Sequence, residues 1–384
     1  MKKILIIIVI NMVYFSHLVA ARPSPQPEKV YRFIYVQKSM DWYVEQAQLW
    51  KKEIEKRPND PEVWYNYFMA TKYTYWRGDL PTYKHKMDSI LSEMSRKIPN
   101  SYEYNYLRFY NGDRDITLLK KAYELDPHRV DAIYELVSYY EIQGDMEKLP
   151  SFCLDLYKSR DISPGLLNYN YNVLVSTAKS GILFTNGDND TYPVWVLQHA
   201  LDIRKDITLL NLSLIFGNRN YLKRKLEERN IVIDSESLSQ DKMNVFVTKL
   251  VDKITQKYPE IPIYLAATVN TSVINEMEEN LYLVGLAFKY SAKRFDNLAL
   301  LKDNLSNNLR LDYLDYDWYS EQYLVTPWLQ HLNLNYVVIY LKLAEFLHDS
   351  GKSAEAEEWK NKALLLAQKA GNKEFINHIH ELNW

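Results

Sequence analysis

The hydrophobic pattern of the chain changes its period twice, and this change constrains the fold more than any other feature. From 39 to 178, apolar residues recur at the spacing of amphipathic helices. Between 179 and 295 they form short, continuous runs bounded by turn residues, which is typical of buried strands. From 296 to 384 the helical spacing returns. The pattern therefore predicts two helical regions that flank a small α/β domain.

The middle region is expected to contain short strands alternating with helices. The candidate strands are 181–185, 207–215, 231–233, 261–268 and 281–288. Helical spacing occurs between them, most clearly at 221–229 and 242–258. Near-continuous apolar strands that alternate with helices indicate a small parallel or mixed sheet covered on both faces.

The first 21 residues have the pattern of a secretory signal peptide. Two lysines precede an apolar run from Ile4 to Phe15, and small residues follow at 19–21. The run is shorter than the roughly 20 residues that a membrane span needs, although a retained anchor is the alternative. Residues 22–38 begin with three prolines and indicate an extended leader. We therefore predict an exported protein, periplasmic or secreted, with no stable membrane span after signal cleavage.

Charge and cysteine content exclude several classes of protein. The 384 residues include 47 Lys and Arg and 49 Asp and Glu, a net charge of −2, which becomes −4 without the two signal lysines. Nucleic-acid binding requires clustered Lys and Arg, so we expect no nucleic-acid partner. Cys153 is the only cysteine, which excludes an intrachain disulfide and a zinc site built from cysteines.

Parts of both helical regions resemble tetratricopeptide repeats. Within Leu118–Pro127, Ala122 and Pro127 match the last alanine and the closing proline of the repeat. Gly144-Asp145 and Gly351-Lys352 lie where turns between paired helices would fall. The match is incomplete, because leucines replace small residues and the proline spacing is uneven. We therefore expect degenerate tetratricopeptide-like repeats flanking a small parallel or mixed α/β sheet domain. Such stacks usually bind a partner on a concave surface, although these helices could instead only support the sheet.

The loop after the first candidate strand is rich in polar side chains. Ligands of open α/β sheets bind beyond the carboxyl ends of the strands, where this loop lies. A helix cap, which is the structural alternative, would need only one of its Asp or Thr side chains, such as Asp190 or Thr191. The candidate ligand-binding residues are Asn186, Gly187, Asp188, Asn189, Asp190, Thr191, Tyr192 and Trp195.

The composition of the loop favours hydrogen bonds to a sugar or peptide, with Tyr192 and Trp195 as stacking surfaces. Asp188 and Asp190 would repel a phosphate group, and no lysine stands beside them. We therefore predict no cofactor, no metal and no catalytic residue. A divalent cation held by these two carboxylates is the alternative, although the later residues of a calcium-binding loop are missing.

The same region resembles a known family. Ile182–Trp195 (ILFTNGDNDTYPVW), with Arg204–Asp206 and Leu210–Ser213, resembles the soluble C-terminal region of a Bacteroidetes family of multi-span membrane proteins. That family is similar to protein O-mannosyltransferases, and 261–266 and 283–287 resemble its later strands. Its catalytic membrane part is not found in this sequence. The resemblance therefore implies a shared extracytoplasmic module and a Bacteroidetes-like periplasm, and it does not imply a transferred activity.

Together these features predict an exported, non-catalytic interaction or scaffold protein of the bacterial cell envelope. It would bind a protein or glycan partner through the helical repeats and the loop at 187–192. The alternative is a periplasmic hydrolase or glycosyl-transfer-related enzyme that uses Asp188 and Asp190. The expected segments are a signal peptide (1–21), a leader (22–38), a helical domain (39–178), an α/β domain (179–295) and a C-terminal helical region with a tetratricopeptide-like hairpin (296–384).

Overall fold

A computed structural model of the chain describes residues 26–75, 80–234, 237–238, 242–316 and 322–382. The expected signal peptide, the start of the leader and the expected turn at 78–79 lie outside these residues. The chain divides into two compact units. Unit 1 comprises Met1–Val30 and Ser39–Lys97, and unit 2 comprises Tyr31–Lys38 and Ile98–Trp384.

The described residues of unit 1 form three helices, α1 (Met40–Lys56), α2 (Pro61–Tyr75) and α3 (Leu80–Lys97). Ser39 caps α1, because its hydroxyl accepts a hydrogen bond from the Trp42 amide. Glu28 and Val30, which precede α1, are anchored within the same unit. The Val30 amide donates to Asn66 Oδ1 at 2.7 Å, and the Trp50 indole donates to the Glu28 carbonyl at 2.8 Å.

From Ile98, unit 2 continues with a run of helices. They are α4 (Tyr102–Arg108), α5 (Ile116–Leu125), α6 (Val130–Gln143), α7 (Leu149–Lys158) and α8 (Pro164–Val175). Gly144 ends α6 with a φ of 71°, a left-handed conformation that glycine adopts without a steric penalty. Cys153 on α7 is completely buried.

The chain then forms the sheet region. In chain order its elements are β1 (Ile182–Thr185), α9 (Tyr192–His199), β2 (Thr208–Asn211), α10 (Leu212–Gly217), α11 (Arg219–Glu227), α12 (Met243–Lys257), β3 (Ile263–Ala266), α13 (Thr271–Asn275), β4 (Leu281–Leu283) and β5 (Ala287–Tyr290). The strand order is β2-β1-β3-β5-β4. β1 pairs in parallel with β2, where Ile182 faces Thr208, and with β3, where Ile182 faces Ile263. β5 runs antiparallel to both β3 and β4, so the sheet is mixed.

Three of the expected strands differ from the structure. The run 207–215 is divided, because Asn211 caps α10 and converts its second half to helix. The run 231–233 is not a strand, and Val232 is 62% exposed. The run 281–288 is a hairpin rather than one strand. Its turn contains Gly285 with a φ of 155°, where a Cβ atom would collide with the Ser176 hydroxyl.

The C-terminal part of unit 2 is helical. Its helices are α14 (Asn297–Asp303), α15 (Thr326–Asp349), α16 (Ser353–Lys369) and α17 (Lys373–Glu381). α15 and α16 form a hairpin, and Ala356 and Ala363 are buried in α16, where small side chains allow close packing. Asn172 on α8 donates to the Tyr336 hydroxyl of α15 at 2.7 Å, which ties the sheet-bearing part to this hairpin.

The predicted fold class is confirmed. In the residues that the structure describes, helices flank one small five-stranded mixed sheet. Among the helices in the described parts of the chain, none has the length and apolar character required to span a bilayer. The acidic and aromatic segment at 312–323 is only partly described, and its first residues form a short 3-10 turn at Asp312–Leu314.

Candidate functional site

The loop after β1 lies at a topological switch point of the sheet. β1 has β2 on one side and β3 on the other, so the connections that leave β1 and β2 run in opposite directions. The carboxyl ends of these parallel strands are the usual ligand-binding edge of such a sheet. The loop consists of Asn186, Gly187 and a 3-10 turn at Asp188–Asp190, and α9 follows it.

Asp190 is the internal anchor of this loop. Its carboxylate accepts hydrogen bonds from the amides of Asn186 at 2.8 Å and Gly187 at 2.7 Å, and from the Thr268 hydroxyl beyond β3. The residue is only 3% exposed. Burial raises the pKa of this carboxyl group, and the three hydrogen bonds oppose that rise. Asp190 therefore holds the two strand ends together, and its acceptor oxygens are already occupied.

Thr191 and Asn211 extend this internal network to β2. The Thr191 hydroxyl lies 2.9 Å from the Thr185 hydroxyl and accepts a hydrogen bond from Asn211 Nδ2 at 2.9 Å. Asn211 Oδ1 also accepts from the Leu214 amide. All three side chains are buried. We call Asp190, Thr191, Asn211 and Thr268 the strand-end cluster.

Tyr192 and Trp195 have no ring face open to a ligand. They are 7% and 2% exposed, and their rings pack against each other in an edge-to-face arrangement. The Tyr192 hydroxyl is 2.7 Å from the Ser138 hydroxyl of α6, and its ring packs against Tyr134. The expectation that these aromatics offer stacking surfaces is therefore wrong. Tyr192 instead packs at the contact between α6 and α9, where its ring is buried and its hydroxyl is hydrogen-bonded.

The exposed end of the loop is formed by Asn186 and Asp188, with Gly187 and Asn189 partly exposed. The Asn189 carbonyl accepts from Asn170 Nδ2 at 2.9 Å, which holds the turn against α8. Of the eight sequence-predicted site residues, these four have surface that a ligand can reach.

Asp188 faces a group of charges that the sequence did not reveal. Arg32, in the segment before α1, reaches Glu135 at 3.4 Å and Asp131 at 3.6 Å, both on α6. Asp188 interacts electrostatically with Arg32 and Glu135. Asp161 also interacts electrostatically with Arg32, and we call Arg32 and the carboxylates of Asp131, Glu135, Asp161 and Asp188 the acidic recess.

Two tyrosines complete the acidic recess. The hydroxyls of Tyr35 and Tyr134 both donate to Asp161 Oδ2, at 2.7 and 2.8 Å. Tyr35 and Asp161 are 126 positions apart in sequence, and no local motif connects them. The one indication was the aromatic, basic composition of 31–35 (YRFIY), which is unusual for an extended leader.

Titration in the acidic recess is governed by loss of hydration. Burial raises the pKa of Glu135, while Arg32 and Arg114 lower it and Asp188 and Asp131 raise it further. Although Asp188 is exposed at its tip, the surrounding protein raises the pKa of its carboxyl group, and Arg32 opposes this effect. For Arg32, burial acts to lower the pKa, but the nearby tyrosines and carboxylates raise it well above its usual value. The guanidinium is therefore charged at any physiological pH.

The Arg204–Asp206 segment, another part of the family resemblance, lies at the opposite end of β1 and β2. The Arg204 guanidinium donates to the carbonyls of Leu174, Thr177 and Ala178 and pairs with Asp206. Asp206 also accepts from the Ser180 amide at 2.8 Å. Hydrogen bonding from Arg204 lowers the pKa of Asp206 to about 2. This segment therefore stabilises the beginning of the sheet.

The arrangement offers hydrogen-bond acceptors and negative charge to a ligand. Asp188 and the recess carboxylates suit a basic group or a set of hydroxyl groups. Across the residues that the structure describes, no three His, Cys, Asp or Glu side chains are grouped so that they could hold a metal ion.

Comparison with known families places one match on this part of the chain. Residues 166–230 of the 384 match the model of TMEM260-associated domain 2, from α8 through α11. The match includes the loop after β1 and the Arg204–Asp206 segment. None of the curated proteins compared with the chain matches it. Within 166–230 the chain is therefore similar to a TMEM260-associated domain.

Proposed function

We propose that the protein is an exported, non-catalytic binding or scaffold protein of the bacterial cell envelope. It holds a protein or glycan partner at the acidic recess and the exposed end of the β1 loop. One observation carries this proposal. Asp190, the buried carboxylate of the loop, accepts hydrogen bonds from two amides and a hydroxyl, which leaves Asp188 as the accessible acid of the loop.

The proposal also includes the sequence-based organisation of the chain. It comprises a cleaved signal at 1–21, tetratricopeptide-like helices at 39–178 and 296–384, the α/β domain at 179–295, and a Bacteroidetes-like origin. The apolar N-terminal run, the helical hairpins and the match at 166–230 support it. An O-mannosyltransferase-related module would suit a role beside a glycosylation or assembly system.

Ligand-dependent thermal stabilisation of the purified chain tests the proposal. The probes are mannose oligosaccharides and short basic peptides, and the variants are Asp188→Asn, Asp190→Asn and the double variant. We expect Asp188→Asn to melt like the wild type but to lose the stabilisation by a probe. If no probe stabilises the wild type, or if Asp188→Asn retains full stabilisation, the proposed binding role is wrong.

A second candidate is a hydrolase or glycosyl-transfer-related enzyme. It is favoured by one observation, that Asp188 and Glu135 share a recess and both have a raised pKa, as a general acid often does. Turnover of nitrophenyl glycosides or of sugar nucleotides by the wild type, abolished in Asp188→Asn, would establish this enzyme and refute the scaffold role.

A further inference from the structure

The segment Tyr31–Lys38, which we call the strap, lies in the acidic recess of unit 2. Its backbone folds into a turn, since the amides of Tyr35 and Val36 both donate to the Arg32 carbonyl, at 3.0 and 3.3 Å. This turn directs Arg32 and Tyr35, three positions apart, to different carboxylates of the recess. Arg32 reaches Glu135 and Asp131, and Tyr35 reaches Asp161.

Arg32 fits its partners poorly. Its closest carboxylate contacts are 3.4 and 3.6 Å, and Nη1 makes no hydrogen bond although the residue is only 7% exposed. Well-formed guanidinium–carboxylate pairs are about 2.7–2.9 Å. Arg129 of the same unit shows such a pair, with Glu103 at 2.9 Å. A buried guanidinium with long contacts gains little from its ion pairs, because desolvation offsets the attraction.

Asp161 would still have a hydrogen-bond donor if the strap left the recess. Asp161 keeps the hydroxyl of Tyr134, which belongs to α6, when Tyr35 leaves. The carboxylates of Glu135 and Asp188 would then lose Arg32, while Asp131 keeps its contact with Arg129 at 3.6 Å, so the recess would gain net negative charge. Such a charge favours a cationic occupant with better geometry than Arg32 has.

We propose that the strap is a resident pseudo-ligand, and that the recess binds a peptide segment of a partner protein carrying an arginine and, three residues later, a tyrosine. This inference rests on the proposed function, because it names the partner class for the same site. The strap competes with the partner, so binding requires the strap to leave. The kind of partner is indicated by the strap itself, whose Arg-x-x-Tyr spacing brings a guanidinium to Glu135 and a hydroxyl to Asp161.

A matched pair of variants tests this competition. Tyr35→Phe and Tyr134→Phe each remove one hydroxyl from Asp161, but only Tyr35 belongs to the strap. The probe is a fluorescein-labelled peptide with the sequence of residues 30–37 (VYRFIYVQ), measured by fluorescence anisotropy against the full chain. We expect Tyr35→Phe to bind it about tenfold more tightly than the wild type, the effect of one charge-assisted hydrogen bond. Tyr134→Phe should bind it no more tightly than the wild type.

Two controls keep the test decisive. A peptide with alanine in place of its arginine should bind Tyr35→Phe at least tenfold more weakly, and adding Glu135→Gln to Tyr35→Phe should weaken the original peptide similarly. Melting curves verify that each variant is folded. Equal affinity of the wild type and Tyr35→Phe, or no binding to either, overturns the strap proposal. If oligosaccharides still stabilise the wild type through Asp188 in that case, the proposed function stands and only this inference fails.

Discussion

The strand-end cluster and the acidic recess are both polar groups centred on carboxylates, yet they are bonded in different ways. In the strand-end cluster, Asp190 receives two amides at 2.7 and 2.8 Å and a hydroxyl. In the acidic recess, Arg32 approaches its carboxylates only to 3.4 and 3.6 Å. In the strand-end cluster, backbone amides at short distances donate hydrogen bonds to the carboxylate. In the acidic recess, the ion pairs join long side chains whose charged atoms are farther apart.

The difference indicates which polar residues hold the fold and which are free to exchange partners. A buried polar network stabilises a structure when each member is satisfied, and its disruption leaves unpaired groups without water. Ion pairs with poor geometry contribute little to stability, because desolvation offsets their attraction. Asp190 is therefore assigned a structural role, and Asp188, only two positions earlier, faces the region where a ligand would bind.

The largest effect is expected from Asp190→Ala. It leaves the amides of Asn186 and Gly187 and the Thr268 hydroxyl without their shared acceptor, so the free energy of unfolding should fall by about 3 kcal/mol. Urea denaturation measures the loss. Asp188→Ala is the matched control and should change stability by less than about 0.5 kcal/mol. Similar losses in both variants would remove the distinction between the two aspartates.

A smaller loss is expected from Asn211→Ala in the same cluster. The substitution removes the hydrogen bond to Thr191 and the cap on the Leu214 amide, which together should cost about 2 kcal/mol. The control is Asn186→Ala, whose exposed side chain leaves the backbone bond to Asp190 intact. If Asn186→Ala is the more destabilising variant in urea, the loop is held from its exposed end instead.

Acid should remove the stability that the well-paired carboxylate of Asp206 contributes at the beginning of the sheet. The pKa of Asp206 is lowered to about 2 in the folded state, below the ordinary value of about 3.9 in an unfolded chain. Its contribution is complete above pH 4 and is lost as the pH falls toward 2, and screening limits it to about 1 kcal/mol. Unfolding followed between pH 5 and 2 should show a smaller loss for Asp206→Asn than for the wild type. An identical loss in the two proteins would contradict this assignment.

The smallest effect is expected in the acidic recess and has the opposite sign. Because the pKa of Glu135 is raised in the folded state, the folded protein holds this proton more tightly than the unfolded chain does. The wild type should therefore gain stability relative to Glu135→Gln as the pH falls from 7 to 5, by less than about 1 kcal/mol. A relative loss over the same interval, measured by urea denaturation, would show that Arg32 and Glu135 form a strong pair.

Local sequence signals predicted part of this site and not the rest. The apolar run before Asn186 and the proline after Tyr192 located β1, the loop and α9, because strand and helix periodicities are local properties. The cap alternative was wrong, because neither the Asp190 nor the Thr191 side chain caps α9, and Asp190 instead accepts from amides that precede it in the loop. Tyr192 and Trp195 were misjudged, since an aromatic residue suits a ligand surface and a helix interface equally.

The sequence by itself determined the helical flanks, the small sheet between them and the position of the polar loop. Only the tertiary structure decided that 281–288 is a hairpin, because the turn depends on the space that Ser176 leaves beside Gly285. It also decided which acids share a site. Arg32, Glu135, Asp161 and Asp188 lie far apart in sequence, and no periodic pattern links residues that meet only when the strap, α6 and the β1 loop pack together.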